Sequence, residues 1–266
     1  MLTRAAFAQR FATRAVFGMV HLRALPGAPQ FTSMDAVIDA ALRDARAIAA
    51  GGCDGLIIEN FGDRPFTRGR VEAETIASMA RAVAEIAREV HAPFGVNVLR
   101  NDALSALGLA AATGASFIRV NVYTGAMLTD QGIIEGDAYA TLRRRASLAP
   151  HVLIFADHMV KHAVPVAESD PLQMAKDLRV RGLADALIVT GVETGAAVDP
   201  GRLRILRDAV DAPLLVGSGL TAENAAAFAD ADGAIVGTAI KREGRVDEAV
   251  DPARVEAIVR AFKNAR

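Results

Sequence analysis

Residues that can move protons or bind polar ligands follow six separate hydrophobic runs of this sequence. In chain order they are His21, Glu59 with Asn60, Asn97, Asn121, Asp157 and Thr190. Carboxylates and imidazoles transfer protons, whereas amides and hydroxyls bind hydroxyl or carbonyl oxygens. We therefore predict that His21, Glu59 and Asp157 are catalytic acid–base groups. The predicted substrate-binding residues of this set are Asn97, Asn121 and Thr190.

Arg119 extends this set, because it lies two residues before Asn121 and alternate residues of a strand share one face. A guanidinium inside a fold is costly unless a carboxylate pairs with it. Glu59 and Asp157 are the expected partners. The sequence leaves open whether Arg119 forms a structural ion pair or binds substrate.

The segment 157–162, DHMVKH, is dense in titratable groups. Its Lys161 is a candidate Schiff-base nucleophile, general base or phosphate clamp, and the sequence does not choose among them. His162 is a further predicted substrate-binding residue. His21, Glu59 and Asp157, with His162 nearby, are also candidate ligands for a possible divalent metal, although no HxH or HExxH spacing is present.

Two short glycine-containing segments point to phosphate. Gly217-Ser218-Gly219 and Gly237-Thr238-Ala239 each follow a hydrophobic run, and a short helical stretch is predicted after the second. Small residues let backbone N–H groups approach an anion closely, and a helix N-terminus adds positive potential. We predict these six residues as the phosphate-binding site, with the loop 190–195 as a third wall.

The elements that must hold these residues are eight short apolar runs separated by amphipathic stretches. The runs cover 15–21, 54–60, 93–99, 116–122, 151–157, 185–190, 213–217 and 232–237. Near-continuous apolar runs are typical of strands buried on both faces of a parallel sheet. Helical periodicity over 33–50 and 71–90, and Asp-Pro pairs at 170, 199 and 251, predict helices between them.

This alternation predicts one (β/α)8 barrel domain over residues 1–266, with a short N-terminal helix. An open doubly wound sheet and two small domains are the alternatives, but no linker-like segment supports the second. Chemistry in such barrels occurs at the carboxyl ends of the strands, where every polar residue named above lies. The glycine segments follow strands seven and eight, a frequent phosphate site of this fold.

Composition limits the partners. The 30 Lys and Arg against 31 Asp and Glu give no basic face for nucleic acid, and 5% aromatic residues leave few surfaces for base stacking. The single Cys53 cannot form an internal disulfide, which favours a cytoplasmic location. Charged residues, Asn or Gly interrupt every apolar stretch, so no transmembrane segment is expected.

Several long segments resemble the BtpA/SgcQ family. They are MVHLRALPGAP (19–29), GGCDGLIIENFGDRPF (51–66), GVNVLRNDA (95–103), FIRVNVYTGAMLTDQGIIEG (117–136), VKHA (160–163), ADALIVTG (184–191), VGSGLT (216–221) and ADGAIVGTAIK (231–241). One departure is ADHMVKHA in loop five, where ADVHVKHA is expected; it moves a histidine by one position and leaves any family role of His158 open. The resemblance implies a phosphate-binding type of barrel. Its members are labelled both as a membrane-peripheral factor of photosystem I biogenesis and as a nucleotidase.

The function we expect from these residues is an enzyme acting on a small phosphorylated metabolite. The equipment suits a sugar-phosphate isomerase, epimerase or aldolase-like lyase that uses acid–base chemistry. One alternative is a non-catalytic assembly factor for a membrane complex, as one family label implies. Another is a metal-assisted nucleotide or nucleoside hydrolase. Because barrels often self-associate, a homo-oligomer is expected on general grounds only.

Overall fold

A computed structural model of the chain describes residues 1–191 and 198–265. Its strands are β1 (Ala15–His21), β2 (Gly55–Glu59), β3 (Phe94–Asn97), β4 (Phe117–Val120), β5 (Ala126–Thr129), β6 (Gly132–Glu135), β7 (Leu153–His158), β8 (Ala163–Pro165), β9 (Ala186–Val189), β10 (Leu214–Val216) and β11 (Gly233–Val236). Eight of these close into a parallel barrel in the order β1–β11–β10–β9–β7–β4–β3–β2. Each predicted run overlaps one barrel strand, so the predicted (β/α)8 fold is confirmed.

Helices alternate with the barrel strands. They are α1 (Arg4–Arg10), α2 (Met34–Ala50), α3 (Ala73–Glu89), α4 (Ala103–Thr113), α5 (Ala138–Leu148), α6 (Pro171–Lys176), α7 (Pro200–Ala209) and α8 (Pro252–Lys263). A π-helical turn, Asp177–Arg181, follows α6, and 3-10 turns cover Ala225–Phe228, Thr238–Ile240 and Arg242–Gly244. None of the described helices combines the length and the hydrophobicity needed to cross a bilayer.

The Asp-Pro pairs begin helices as predicted. The side chains of Asp170, Asp199 and Asp251 each accept a hydrogen bond from a backbone N–H in the first turn of α6, α7 and α8. The proline that follows occupies the first helical position, where its missing N–H costs nothing. The starts of these three helices are marked in this way by two-residue signals.

The barrel interior is apolar at its amino-terminal end, where α1 closes it. Phe7 of α1 is fully buried against Phe17 and Phe155, with ring centroids 6.4 and 6.1 Å away. Phe117 and Phe155 stack at 4.3 Å inside the barrel. Inward residues further along the same strands are polar. The apolar amino-terminal end of the barrel stabilises the fold, and polar side chains are gathered at the carboxyl ends of the strands.

A small antiparallel sheet beside the barrel was not predicted from the sequence. It runs in the order β6–β5–β8 and is inserted between β4 and β9 of the chain. Residues 130 and 131 connect β5 to β6, and Gly132 follows with φ of +96°, a backbone conformation that glycine adopts without strain. The hairpin turn carries Asp130 to the rim of the site described next.

Candidate active site

A cavity of about 720 Å³ lies at the carboxyl ends of the barrel strands. The predicted site residues that line it are His21, Glu59, Arg119, Asn121, Lys161, His162, Gly217, Ser218, Gly219, Gly237, Thr238 and Ala239. Asn97, Asp157 and Thr190 do not line it. The closed barrel therefore brings together residues up to 218 positions apart in the sequence, from His21 to Ala239.

Asp157 lies behind the cavity wall, where Arg119 and Asn121 cover it. Arg119 donates to both of its carboxylate oxygens at 2.9 Å, and Asn121 Nδ2 donates to Oδ2 at 2.9 Å. Asn97 Nδ2 in turn donates to Asn121 Oδ1 at 3.1 Å. These bonds fix the Arg119 guanidinium as part of the cavity floor. In this arrangement Asp157 positions Arg119, and it does not line the large cavity.

Glu59 is the carboxylate that faces the cavity. Its Oε1 lies 3.9 Å from His21 Nε2, and its Oε2 lies 4.0 Å from Arg119 Nη1. Both separations exceed hydrogen-bond distance. Strand register explains the closeness of the first pair, because His21 and Glu59 are direct partners across β1 and β2. Glu59 is thus held near a cation and an imidazole while its oxygens stay available.

Burial sets the ionisation of this pair. Desolvation lowers the pKa of His21 to about 3, and the neighbouring cations, with Lys241 first, add to the shift. Desolvation also raises the pKa of Glu59, although the Arg119 charge opposes that rise. His21 is consequently neutral at physiological pH. A carboxyl group with a raised pKa beside a neutral imidazole is suited to proton transfer.

Lys161 and Arg100 form a second polar wall. Arg100 follows β3, is 7% exposed, and its Nη2 donates to the carbonyl oxygen of Lys161 at 2.6 Å. Burial lowers the pKa of Lys161 to about 8, with a further contribution from the Arg119 charge. Lys161 lies three residues beyond the end of β7. Its use as a Schiff-base nucleophile stays a prediction, which borohydride trapping with a carbonyl substrate would check.

The two glycine segments leave backbone donors open at the cavity. Among residues 1–191 and 198–265, no acceptor takes a hydrogen bond from the backbone N–H of Gly219, Thr238 or Ala239. Gly219 has φ of +71°, and Asn224 Nδ2 binds its carbonyl oxygen at 2.7 Å, which fixes the loop. A Cβ at Gly237 would lie 3.2 Å from His21 Cε1. Open N–H groups in a fixed loop are the donors that anions use.

The helix predicted after the second segment is only the 3-10 turn Thr238–Ile240. So short a turn contributes individual N–H groups and no appreciable helix dipole. Lys241, which follows it, is buried and pairs with Asp44 of α2 at 2.6 Å. It therefore anchors the loop from beneath. Residues 192–195, predicted as a third wall of the site, lie outside the described residues.

The candidate metal ligands do not assemble. In the described part of the chain, no three His, Cys, Asp or Glu side chains come together in a metal-binding arrangement. The Arg119 guanidinium lies between the two carboxylates, at 2.9 Å from Asp157 and 4.0 Å from Glu59. A cation in that place would repel a metal ion. Glu59 and Asp157 thus lie around Arg119, and a metal held by His21, Glu59 and Asp157 stays a prediction that metal analysis of the purified protein would check.

Two other residues of this region have structural surroundings. Thr190 donates from its hydroxyl to the carbonyl oxygen of Met159 at 2.9 Å, away from the cavity. His158 is completely buried, with Nε2 at 2.7 Å from the Pro171 carbonyl oxygen and Nδ1 at 3.0 Å from Arg202 Nη2. Burial lowers the pKa of His158 to about 4. It joins β7 to α6 and α7.

Sequence reasoning missed three arginines of the cavity. Arg64 lies in the loop after β2 with its guanidinium 5.0 Å from the Phe61 ring, Arg100 follows β3, and Arg254 of α8 donates to the Ala239 carbonyl oxygen at 2.9 Å. The positions of Arg64 and Arg100 after strands were visible in the sequence. Nothing in the sequence placed Arg254, on the last helix, at the mouth of the barrel.

The cavity is cationic although the chain has a formal net charge of −1. Of the described lining residues, five are Arg or Lys and two, Glu59 and Asp130, are carboxylates. Since Asp130 is exposed on the hairpin turn, the floor holds the excess of positive charge. A site of this kind attracts and retains anions.

Related proteins align with nearly the full length of this chain. The chain is 44% identical to the photosystem I biogenesis protein BtpA of Synechocystis over 93% of this chain and 87% of that protein. It is 45% identical to an uncharacterized protein of Archaeoglobus fulgidus over 94% of this chain and 99% of that one.

Solved structures with the same fold are more distant in sequence. N-(5'-phosphoribosyl)anthranilate isomerase of Pyrococcus furiosus has a TM-score of 0.59 at 16% identity, covering 95% of this chain and all of that one. (S)-3-O-geranylgeranylglyceryl phosphate synthase of Thermoplasma acidophilum has a TM-score of 0.62 at 15% identity over the full length of both chains. These similarities confirm the barrel fold. The family model of the BtpA family matches residues 12–264. The chain therefore belongs to the BtpA family.

Proposed function

We propose that this protein is an enzyme that binds a small phosphorylated metabolite and moves a proton on it. The observation that carries the proposal is the set of open backbone donors at Gly219, Thr238 and Ala239, in the same cavity as Glu59. Two proteins of this fold are named for phosphorylated compounds, and one was solved with sn-glycerol-1-phosphate. A phosphate on the glycine segments would leave the rest of the ligand over the strand ends.

Glu59 would take the proton in this proposal. Its raised pKa makes it a better proton acceptor than an ordinary carboxylate, and the protonated group can return the proton. The neutral imidazole of His21 and the amide of Asn121 would hydrogen-bond a carbonyl or hydroxyl oxygen. Removing a proton from carbon beside a carbonyl gives an enediolate, whose charge Arg119 would stabilise. Returning the proton to the adjacent carbon, while the hydroxyl proton passes to the former carbonyl oxygen, completes an isomerisation. Returning a proton to the same carbon on its opposite face completes an epimerisation.

Binding is tested by thermal shift and calorimetry with a panel of phosphorylated sugars at fixed ionic strength. We expect at least one compound to raise the melting temperature of the wild-type protein. Ser218→Asp should abolish the shift, since a carboxylate in the glycine segment repels phosphate. Ser147→Asp, the same change on the exposed face of α5, should retain it. If no compound stabilises the wild-type protein, the proposal is wrong.

Proton transfer is tested by deuterium exchange. Wild-type protein in D2O should exchange hydrogen at the carbon next to the carbonyl of the compound that binds, as followed by NMR. Glu59→Gln should slow this exchange by about a hundredfold or more while still binding the compound. Glu256→Gln, an exposed change on α8, should have no effect. Equal exchange by Glu59→Gln and wild-type protein would remove Glu59 from the reaction.

The name of the Synechocystis relative favours an assembly role as a second candidate function. The two candidate functions differ in whether the cell needs the proton-transfer group Glu59. If assembly is the function, Glu59→Gln should rescue a deletion strain as well as the wild-type gene does. If the enzyme is required, the variant should fail although the protein accumulates normally.

A further inference from the structure

The groups of the cavity that can bind anions lie on opposite sides of the barrel. In the closed order, β3 lies four strands from β10, and β4 lies four strands from β11. The glycine segments follow β10 and β11, whereas Arg100 follows β3 and Arg119 lies on β4. Eight strands about 4.8 Å apart and tilted by about 36° form a ring roughly 15 Å across. A small molecule can therefore reach both sides at once.

Arg100 is the cation on the far side without a carboxylate. In the described residues no Asp or Glu oxygen lies within 4.0 Å of it, its one acceptor is the Lys161 carbonyl oxygen, and its Nε has no partner. Arg179 is equally buried without a carboxylate but donates to the carbonyl oxygens of Leu2, Ala184 and Asp185. Arg179 thus has three backbone acceptors among the described residues, whereas Arg100 has one.

Lys161 adds a second cation beside Arg100. Its Nζ forms no ion pair with the described carboxylates, whereas Lys241, a fully buried lysine near the barrel mouth, has Asp44 at 2.6 Å. The carboxylate of Asp157 is not the counter-ion of Lys161, because Arg119 binds both of its oxygens. Two neighbouring cations without a counter-ion in a partly desolvated wall are costly unless a ligand brings the negative charge.

We propose that Arg100 and Lys161 bind a second anionic group of the ligand, so that the substrate is a short molecule with a phosphate at one end and a carboxylate or second phosphate at the other. This inference rests on the proposed function, because it takes the glycine segments as the first phosphate site. Glu59 and His21 then face the carbons between the two anionic ends, where the proton would be moved.

The test compares pairs of probes that differ in the second anion only. Fructose 1,6-bisphosphate is compared with fructose 6-phosphate, and 3-phosphoglycerate with glycerol 3-phosphate, by calorimetry at pH 7 and fixed ionic strength. For the wild-type protein we expect the doubly anionic member of at least one pair to bind about tenfold more tightly or better. Arg100→Met and Lys161→Met should each bring that ratio towards one.

The controls separate this inference from the proposed function. Arg88→Met, an exposed change on α3, should keep the wild-type ratio, and melting temperatures show whether each variant is folded. If the probes with a single anionic group bind and the second anionic group adds nothing, the inference is wrong and the proposed function stands. A ratio that survives in Lys161→Met and in folded Arg100→Met also overturns it. If no probe binds at all, the proposed function fails first.

Discussion

At the scale of single residues, the unusual feature of this protein is a lysine that shares its wall with other cations. Burial is the main cause of the lowered pKa of Lys161, about 8, and Arg119 and Arg100 add to it, whereas Asp157 and Glu59 oppose it. The ammonium is therefore charged at neutral pH but loses its proton a little above it. Anion binding in the cavity should report this titration.

We expect the affinity for sulfate, whose charge does not change between pH 6 and pH 10, to fall as pH rises through 8. Loss of one nearby positive charge should weaken binding roughly tenfold between pH 7 and pH 9.5, equal to about 1.4 kcal/mol. Lys161→Met should bind weakly and with little pH dependence over this range. An unchanged affinity of the wild-type protein from pH 7 to pH 9.5 would contradict the assignment. Calorimetric titration at constant ionic strength measures both.

His158 predicts a different pH effect, on stability. Its pKa is about 4 in the fold against 6.5 when unfolded, because burial disfavours the charged ring. Between pH 6.5 and pH 4 the imidazole of His158 is therefore protonated in the unfolded chain but neutral in the folded chain. The free energy of unfolding falls as pH is lowered through this range. The loss attributable to this residue is up to about 3 kcal/mol.

Urea unfolding at several pH values measures this contribution. His158→Gln is expected to lower stability at pH 7, because two hydrogen bonds are changed, but to reduce the slope of stability against pH between 6.5 and 4. His91→Gln, at an exposed position, serves as the matched control and should retain the wild-type slope. A variant slope equal to that of the wild-type protein would remove His158 as its cause.

At the scale of elements, short sequence signals determine where the helices begin. Asp251 Oδ1 accepts a hydrogen bond from the backbone N–H of Ala253, and Pro252 occupies the first position of α8. This helix also carries Arg254 to the cavity. The cap therefore contributes both to stability and to the placement of a site residue.

Asp251→Ala should lower the free energy of unfolding by about 1 kcal/mol, the usual cost of a lost N-cap. Glu256→Ala lies on the exposed face of the same helix and should change stability by less than about 0.5 kcal/mol. Equilibrium unfolding in urea compares the two. Equal effects of both substitutions would mean that the Asp251 side chain is not acting as a cap.

Hydrophobic runs and Asp-Pro pairs were sufficient to predict the barrel strands and several helix starts, because both are local signals. The sheet of β5, β6 and β8 was missed because its strands are short and partly exposed, with exposed residues such as Leu128 and Val164. At the site, the positions of Glu59 and the glycine segments followed from strand ends. The sequence did not predict that Arg119 pairs with Asp157 and covers it. The choice between Asp157 and Glu59 depends on side-chain packing across the barrel.

At the scale of the whole molecule, the barrel is stabilised from its closed end. Phe7, which α1 inserts between the strands, is completely buried. Phe7→Ala should lower the free energy of unfolding by about 3–5 kcal/mol through lost apolar burial and the cavity left behind. Tyr139→Ala, at a side chain that is 67% exposed, should have a small effect. If both variants unfold at the wild-type urea concentration, α1 does not support the barrel.

The phenylalanine cluster at the amino-terminal end of the barrel determines where ligands can enter and leave. In the part of the chain that the structure describes, α1 and the rings of Phe17, Phe117 and Phe155 fill the barrel interior at that end. Ligands are therefore expected to enter and leave at the carboxyl ends of the strands. If the proposed enzyme activity holds, product and incoming substrate would share that entrance, and accumulating product would slow turnover by occupying it.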